Sequence, residues 1–364
     1  MTRKPIRVVF AVAAIVLAGF AVAAVSRDDR PQQAAALVDT SHGEVTFAKG
    51  QLQRILNAVD TTTSQVAADE LVAEGRAMFR DPKLFQDGES CQTCHAEGAA
   101  SAKLGTMVHD TGVNSLDPQP VPAPPGDFNG PRDPPALWNL DKTAPYFWDG
   151  DVPTLAAAVA RPVHGHMKDF VTGSCKTPSA GCDAEAGRRV AALTAYIKTL
   201  DPPVTDLDRG TLSPQALAGE KLFQGKGGCI ECHGGPSFTD NLEHNTGVPQ
   251  VNFTSPYRPG NPTLKSNDLG CRNTIPGRTP CAAADAACAG PNPPAGCADV
   301  PPPNAAFVNT PQMRDLKDTA PYMHNGAFKT LKEVVQFYNT QATVAPLNLT
   351  PPEVDQLVAY LESL

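Results

Sequence analysis

Two short cysteine motifs constrain this chain more than any other feature: Cys91-Gln92-Thr93-Cys94-His95 and Cys229-Ile230-Glu231-Cys232-His233 both read Cys-x-x-Cys-His. The spacing has a chemical reason. Two thiols at this separation can form thioethers with the vinyl groups of one haem, and the adjacent imidazole then reaches the iron from the same side. Composition alone predicts roughly 0.006 chance matches to such a pattern, so two copies carry weight. Two disulfides or a zinc site are the competing uses of the same cysteines. Cys91, Cys94, Cys229 and Cys232 are therefore expected to be thioether links, His95 and His233 proximal iron ligands, and two covalently bound haem c groups the cofactors.

The N-terminus agrees with attachment of haem outside the cytoplasm, and it argues against zinc. Arg3, Lys4 and Arg7 precede the eighteen uncharged residues Val8 to Val25, the pattern of an export signal. That run exceeds a usual signal core and reaches the lower limit for spanning a bilayer, so cleavage near Ala21-Val22-Ala23 and a retained anchor both stay open. Residues 1–25 are read as signal peptide or membrane anchor and 26–48 as linker, and the expected location is the periplasm. Removal of Met1 to Ala23 takes three basic residues and moves the net charge from −8 to −11, which excludes nucleic acid as a natural partner. The other six cysteines suit disulfides in an exported protein. Cys175 and Cys182, seven apart in a short loop, should pair; Cys271, Cys281, Cys288 and Cys297 lie in a Pro/Gly/Ala-rich stretch from Tyr257 to Pro303 that two bridges would stiffen, in a pairing the spacing leaves open.

The chain repeats itself after each motif. Met107 to Val113 is echoed by Leu242 to Val248, and Leu140-Asp-Lys-Thr-Ala-Pro-Tyr-Phe-Trp148-Asp-Gly150 lines up with Leu316-Lys-Asp-Thr-Ala-Pro-Tyr-Met-His324-Asn-Gly326. Helix signals dominate. Ser213-Pro214 is an N-cap followed by proline at the first helical position. Asp183 can cap a run to Leu200, in which Leu193, Tyr196, Ile197 and Leu200 share a face. Thr330 with Glu333 and Thr350 with Glu353 are capping boxes. No stretch sustains strand alternation, and 36 prolines demand many turns and loops. The expected fold is mainly α: two tandem cytochrome c-like haem domains with long irregular loops, at 49–202 and 203–364, joined by a linker that starts at Asp201-Pro-Pro203.

Two such domains with this order of motifs resemble the bacterial di-haem cytochrome c peroxidases and the related MauG enzymes, from about Leu71 to the C-terminus. Gly75 to Leu84 is similar to the family's lead-in helix and loop, Gly130-Pro-Arg-Asp133 to its calcium loop, and Phe147-Trp148-Asp149-Gly150 to its inter-haem tryptophan segment. The resemblance implies a peroxidatic N-terminal haem and a C-terminal haem that stores or relays an electron. It implies a relay role for Trp148, which by residue type alone is an ordinary core aromatic. It also implies a calcium ion between the domains, with Asp133, Thr319 and Pro321 at the ligand positions; a carboxylate suits calcium at least as well as the family's amide.

The distal sides depart from the family. The histidine that closes the resting peroxidatic haem in many members has no counterpart in Pro122 to Asn129. His109 could substitute, although the repeat pairs it with His244 and so points to a shared structural role. His166 stands where the family keeps a glutamate acid/base, and an imidazole can perform the same proton transfer. His164, His166 or Met167 could instead ligate iron, or be loop residues. Leu331, Val334, Val335 and Tyr338 share one helix face, so Tyr338 points inward. By residue type it is a buried core tyrosine; by resemblance it sits where the peroxidases keep a methionine ligand and MauG a tyrosine, so it is the candidate second ligand of the His233 haem. The resemblance implies hydrogen peroxide as substrate and a small cytochrome c or cupredoxin as electron donor. The alternatives are a MauG-like oxidase acting on a partner protein's side chains and a di-haem electron carrier with no open site.

Overall fold

The computed structural model describes residues 47–85, 88, 90–95, 109–110, 131–148, 150, 152–249, 251–253, 264–265, 308–340 and 346–364. The signal or anchor segment, nearly all of the linker 26–48, Pro122 to Asn129 and the four cysteines from Cys271 to Cys297 lie outside the described residues.

The protein is mainly helical. Helices α1 (Gln51–Gln65), α2 (Ala68–Arg80), α3 (Cys91–Cys94), α4 (Leu155–His166), α5 (Lys168–Val171) and α6 (Ala180–Ile197) build the first half. Helices α7 (Asp206–Arg209), α8 (Pro214–Gln224), α9 (Leu331–Thr340) and α10 (Pro351–Leu361) build the second. Each half has its own hydrophobic cluster, one centred on Ile55, Phe79, Val163, Val190 and Leu193, the other on Phe223, Leu331, Val335, Leu357 and Leu361.

The helix starts follow local chemistry. Ser213 Oγ accepts from the Ala216 N–H at 3.1 Å, with Pro214 in the first turn. The Glu333 N–H donates to Thr330 Oγ1 at 3.1 Å while the Thr330 N–H donates to the Glu333 carboxylate at 2.9 Å. Thr350 and Glu353 close a second such box. The expected cap of α6 is corrected: Ser179, not Asp183, accepts from Cys182 N–H at 3.2 Å. Asp183 lies one turn inside the helix, where it is buried and takes hydrogen bonds from Gln51 at 3.1 Å and Arg54 at 2.6 Å, so it ties α1 to α6. The disulfide Cys175–Cys182 joins the loop after α5 to the first turn of α6.

The repeat read in the sequence is also a repeat of packing. Gly75 of α2 lets the backbone approach α6 so closely that a Cβ there would lie 2.0 Å from the Ala192 carbonyl oxygen; Gly219 of α8 does the same against the Gln356 oxygen of α10, also at 2.0 Å. Phe79 meets Tyr196 edge-on at 5.3 Å between centroids, and Phe223 meets Tyr360 in the same way at 5.3 Å. Burying each phenylalanine contributes on the order of 1.5–3 kcal/mol. Short strands repeat as well. In the first half β1 (His109–Asp110) pairs with β2 (Pro131–Arg132), with His109 opposite Arg132. In the second half β3 (Glu243–His244) pairs with β6 (Val308–Asn309), with His244 opposite Val308; β4 (Asn252–Phe253) and β5 (Leu264–Lys265) form a third ladder. His109 and His244 thus hold equivalent backbone places, while the His109 side chain lies outside what is described.

Candidate functional site

Each motif follows the helix that makes its half's closest packing, the first after α2 and an intervening 3-10 turn at Pro82–Leu84, the second soon after α8. Cys91–Cys94 is a short helix with Ser90 and Thr93 in a capping box, and Cys229–Glu231 is a 3-10 turn. The four motif thiols are unbridged, in contrast to Cys175 and Cys182. Burial pushes the Cys91 thiol up to about 12 and the Cys229 thiol up to about 11. Such surroundings suit a neutral thioether.

The two motif histidines are held alike. His95 Nδ1 lies 3.0 Å from the Pro135 carbonyl oxygen, and His233 Nδ1 lies 2.9 Å from that of Phe238. Only a protonated Nδ1 can donate to a carbonyl, so Nε2 is left as the lone-pair nitrogen in both rings. Burial lowers the pKa of His233, with the Phe238 carbonyl, the Asp240 carboxylate and the Pro311 carbonyl opposing it. Pro311 is the repeat mate of Pro135, so both imidazoles meet the same turn of their own half. Cys232, Asp240 and His244 bring ligand atoms within 4.8 Å of one another, the one such cluster among the described residues. Asp240 and His244 already pair at 2.7 Å, and a thioether at Cys232 would leave them a pair.

Trp148 lies where the halves meet. Its indole N–H donates to the Asp133 carbonyl at 2.8 Å, and its ring meets His324 edge-on at 6.3 Å. His324, its repeat mate, is buried, and its carbonyl accepts from the Asp133 N–H at 2.8 Å. Arg161 of α4 stacks 5.0 Å over Phe147, the residue before Trp148. Asp133 and Thr319 are buried and Pro321 half-buried; Asp133 meets the second half three residues beyond Pro321, at His324.

On the distal side of the first half the histidine-rich stretch divides. Met167 is fully buried, and its sulfur accepts from Arg189 at 3.6 Å. His164 stacks on Phe47 at 4.9 Å, and burial lowers its pKa against the pull of Asp183. Met167 is thus a core residue, while His164 is half-buried against Phe47 and Phe170. His166, the last residue of α4, is half-buried.

On α9 Leu331, Val335 and Phe337 are buried, and Tyr338 is half-buried. Its hydroxyl shares a hydrogen bond with Thr246 and lies near the Cys229 and Cys232 side chains. Burial pushes the phenol up to about 12. The fold therefore brings Tyr338 and the second motif to one place, although 105 residues separate them in sequence.

Sequence reasoning did not single out Asn309 or Glu243. Asn309 holds the Trp148 turn, and the Glu243 carboxylate folds against Gly150, where a Cβ would meet its oxygen at 2.3 Å. The repeat would have found Asn309, since it aligns with Asp133.

Residues 69–201 match the family described as di-haem cytochrome c peroxidase. The cytochrome-c peroxidase IdrP2 of Denitromonas iodatirespirans is 30% identical over 333 residues, covering 81% of each chain. The methylamine utilization protein MauG of Methylorubrum extorquens is 27% identical over 362 residues, 91% of this chain and 88% of that one. The crystal structure of the diheme peroxidase BthA from Burkholderia thailandensis aligns with a TM-score of 0.53 at 24% identity, over 81% of this chain and 86% of that chain, and shares the fold. With its paired motifs, its repeated helix packing and a relative at this identity over four fifths of its length, the chain belongs to the family of di-haem cytochrome c peroxidases and MauG.

Proposed function

We propose that this chain is an exported, periplasmic di-haem peroxidase that reduces hydrogen peroxide with electrons from a small cytochrome c or cupredoxin. The observation that carries this reading is the shared posture of His95 and His233, each with Nδ1 on a backbone carbonyl, the tautomer whose Nε2 carries the ring's lone pair. Cys91 and Cys94 would hold one haem in a domain at 49–202, and Cys229 and Cys232 the other in a domain at 203–364. Bound haem supplies the iron redox chemistry through which two electrons and two protons convert peroxide to two waters. The chain's own residues supply the rest. His166, half-buried at the end of α4, would take a proton from peroxide and return it to the leaving oxygen. Trp148, in contact with both halves, offers an oxidisable ring between the two haems. The acidic surface would favour a donor that presents a positive face. Calcium at Asp133, Thr319 and Pro321 would tie the halves together beside Trp148.

Tyr338 favours a second reading, a MauG-like oxidase acting on side chains of a partner protein. A phenol held near 12 by burial keeps its proton at neutral pH unless a metal cation replaces that proton. Phenolate stabilises ferric over ferrous iron, which suits an oxidising site better than a high-potential electron store.

A pyridine haemochrome assay on exported protein should find two haems per chain that acid-acetone does not extract. A single haem, or extractable haem, overturns the proposal. Peroxide consumption by the as-isolated ferric protein, with Trp148→Phe slowing it and haem content unchanged, is the second expected result. Activity that appears only after one-electron reduction would instead place a closing ligand on the first haem.

A further inference from the structure

The turn that carries Trp148 is conformationally demanding. Phe147 has φ 65° and Gly150 φ 59°, and the mate turn has Met323 at φ 72° and Gly326 at φ 66°. A bulky residue in the left-handed region does not stay there without outside restraint. The Trp148 turn is held from its own half by the Asp133 carbonyl and by Arg161 over Phe147, and from the other half by Asn309. Asn309 donates its backbone N–H to the Trp148 carbonyl at 2.7 Å and its side-chain Nδ2 to the Pro145 carbonyl at 2.9 Å. Asn309 is buried, and its Oδ1 has no hydrogen-bond partner, so the amide is committed to this one contact.

The repeat shows what the amide replaces. It carries Asn309 onto Asp133, Trp148 onto His324 and Pro145 onto Pro321, and the Asp133 N–H does donate to the His324 carbonyl at 2.8 Å. An amide can donate to the proline carbonyl directly. A carboxylate cannot, because it only accepts, and two facing oxygens need a cation between them. An aspartate at position 309 could therefore not repeat the amide's bond to the Pro145 carbonyl.

We propose that Asn309 is the positioning residue for Trp148, holding its turn through hydrogen bonds that need no ion, and that Asn309→Asp would make the hold dependent on calcium. The proposal rests on the relay reading of Trp148 for its effect on activity, and on geometry alone for its effect on the ring. The test uses the full-length holoprotein in five forms: wild type, Trp148→Phe, Asn309→Ala, the double variant of those two, and Asn309→Asp, the last measured with and without calcium. The near-ultraviolet circular dichroism band lost in Trp148→Phe identifies the Trp148 contribution.

Asn309→Ala should lose that band with two haems retained. Displacing a group by about an ångström costs up to ~100-fold in rate, so turnover should fall about tenfold or more in the wild-type background and less than about twofold in the Trp148→Phe background. Asn309→Asp should lose the band without calcium and regain it in millimolar calcium. An intact band in Asn309→Ala, equal losses of turnover in both backgrounds, or an Asn309→Asp band that ignores calcium would overturn the proposal. Should Asn309→Ala fail to fold, the calcium response of Asn309→Asp decides. If Trp148→Phe leaves turnover untouched, the relay reading fails, while the band still tests Asn309.

Discussion

Tyr338 is the side chain on which the choice of chemistry turns. The helix that carries it was legible from the Leu331, Val334, Val335, Tyr338 spacing, because periodicity is a local property of the chain; burial followed that face at Leu331 and Val335 but took Phe337 in addition and left Tyr338 half-buried. What lies opposite it was not legible. The hydrogen bond to Thr246 and the approach to Cys229 and Cys232 come from a loop more than ninety residues earlier. If Tyr338 ligates the second haem, Tyr338→Phe removes an anionic oxygen donor. The ferric spectrum should then lose a low-spin component, and the potential of that haem should rise. A methionine-to-iron band in the wild type, or an unchanged spectrum in the variant, would send the assignment to Met313 or Met323 instead.

The tightest helix pairs owe their closeness to one glycine each. Gly75 and Gly219 sit where a Cβ would strike backbone at 2.0 Å, and backbone cannot rotate away as a side chain can. Gly219→Ala gains helix propensity of about 1 kcal/mol, but forcing α8 off α10 costs roughly 1–3 kcal/mol or more, so the net effect is destabilising. Gly181, in the first turn of α6, meets nothing within 4 Å. Gly181→Ala should therefore stabilise by about 0.5–1 kcal/mol. Urea unfolding of both variants checks the contrast; two stabilising or two destabilising results would contradict the close-approach account. The sequence showed these glycines only as glycines, since propensity cannot tell an open helix face from one pressed on a neighbour.

At the scale of the whole molecule, the second half closes around the junction that follows Asp201-Pro-Pro203. The Leu207 N–H donates to the Ser363 carbonyl at 3.1 Å, the Asp315 N–H to that of Leu364 at 2.8 Å, and Arg314 donates to the Asp208 carboxylate. The Arg314 hydrogen bond holds the Asp208 carboxyl down at about 2, and the Thr205 backbone and hydroxyl add to it. A depressed folded-state pKa gives stability that is present above the unfolded value near 3.9 and lost as pH falls through about 2. Asp208 is 32% exposed, so solvent screening brings the contribution to about 1–2 kcal/mol. Asp208→Asn should thus unfold at lower urea than wild type at pH 7, with the gap narrowing between about pH 4 and pH 2. A gap that stays constant across that range would show that the pair contributes nothing through charge.

The paired Cys-x-x-Cys-His motifs and most of the helices could be read from the chain, because both are local. A Cys-x-x-Cys-His spacing, a capping box at Thr330 or Thr350 and a Ser-Pro helix start are each satisfied within a few residues. The sequence also determined the duplication, which the structure repeats down to the Phe79–Tyr196 and Phe223–Tyr360 ring pairs. Tertiary structure alone decided the rest. It buried Asp183 as a link between helices and gave the α6 cap to Ser179, turned Met167 into the core and His164 against Phe47, and set Trp148 against its own repeat mate His324. Those outcomes depend on which surfaces two similar halves present to each other. That is a long-range choice, made by burial and by hydrogen bonds such as those of Asn309 across more than 160 residues, and no local pattern in the chain encodes it.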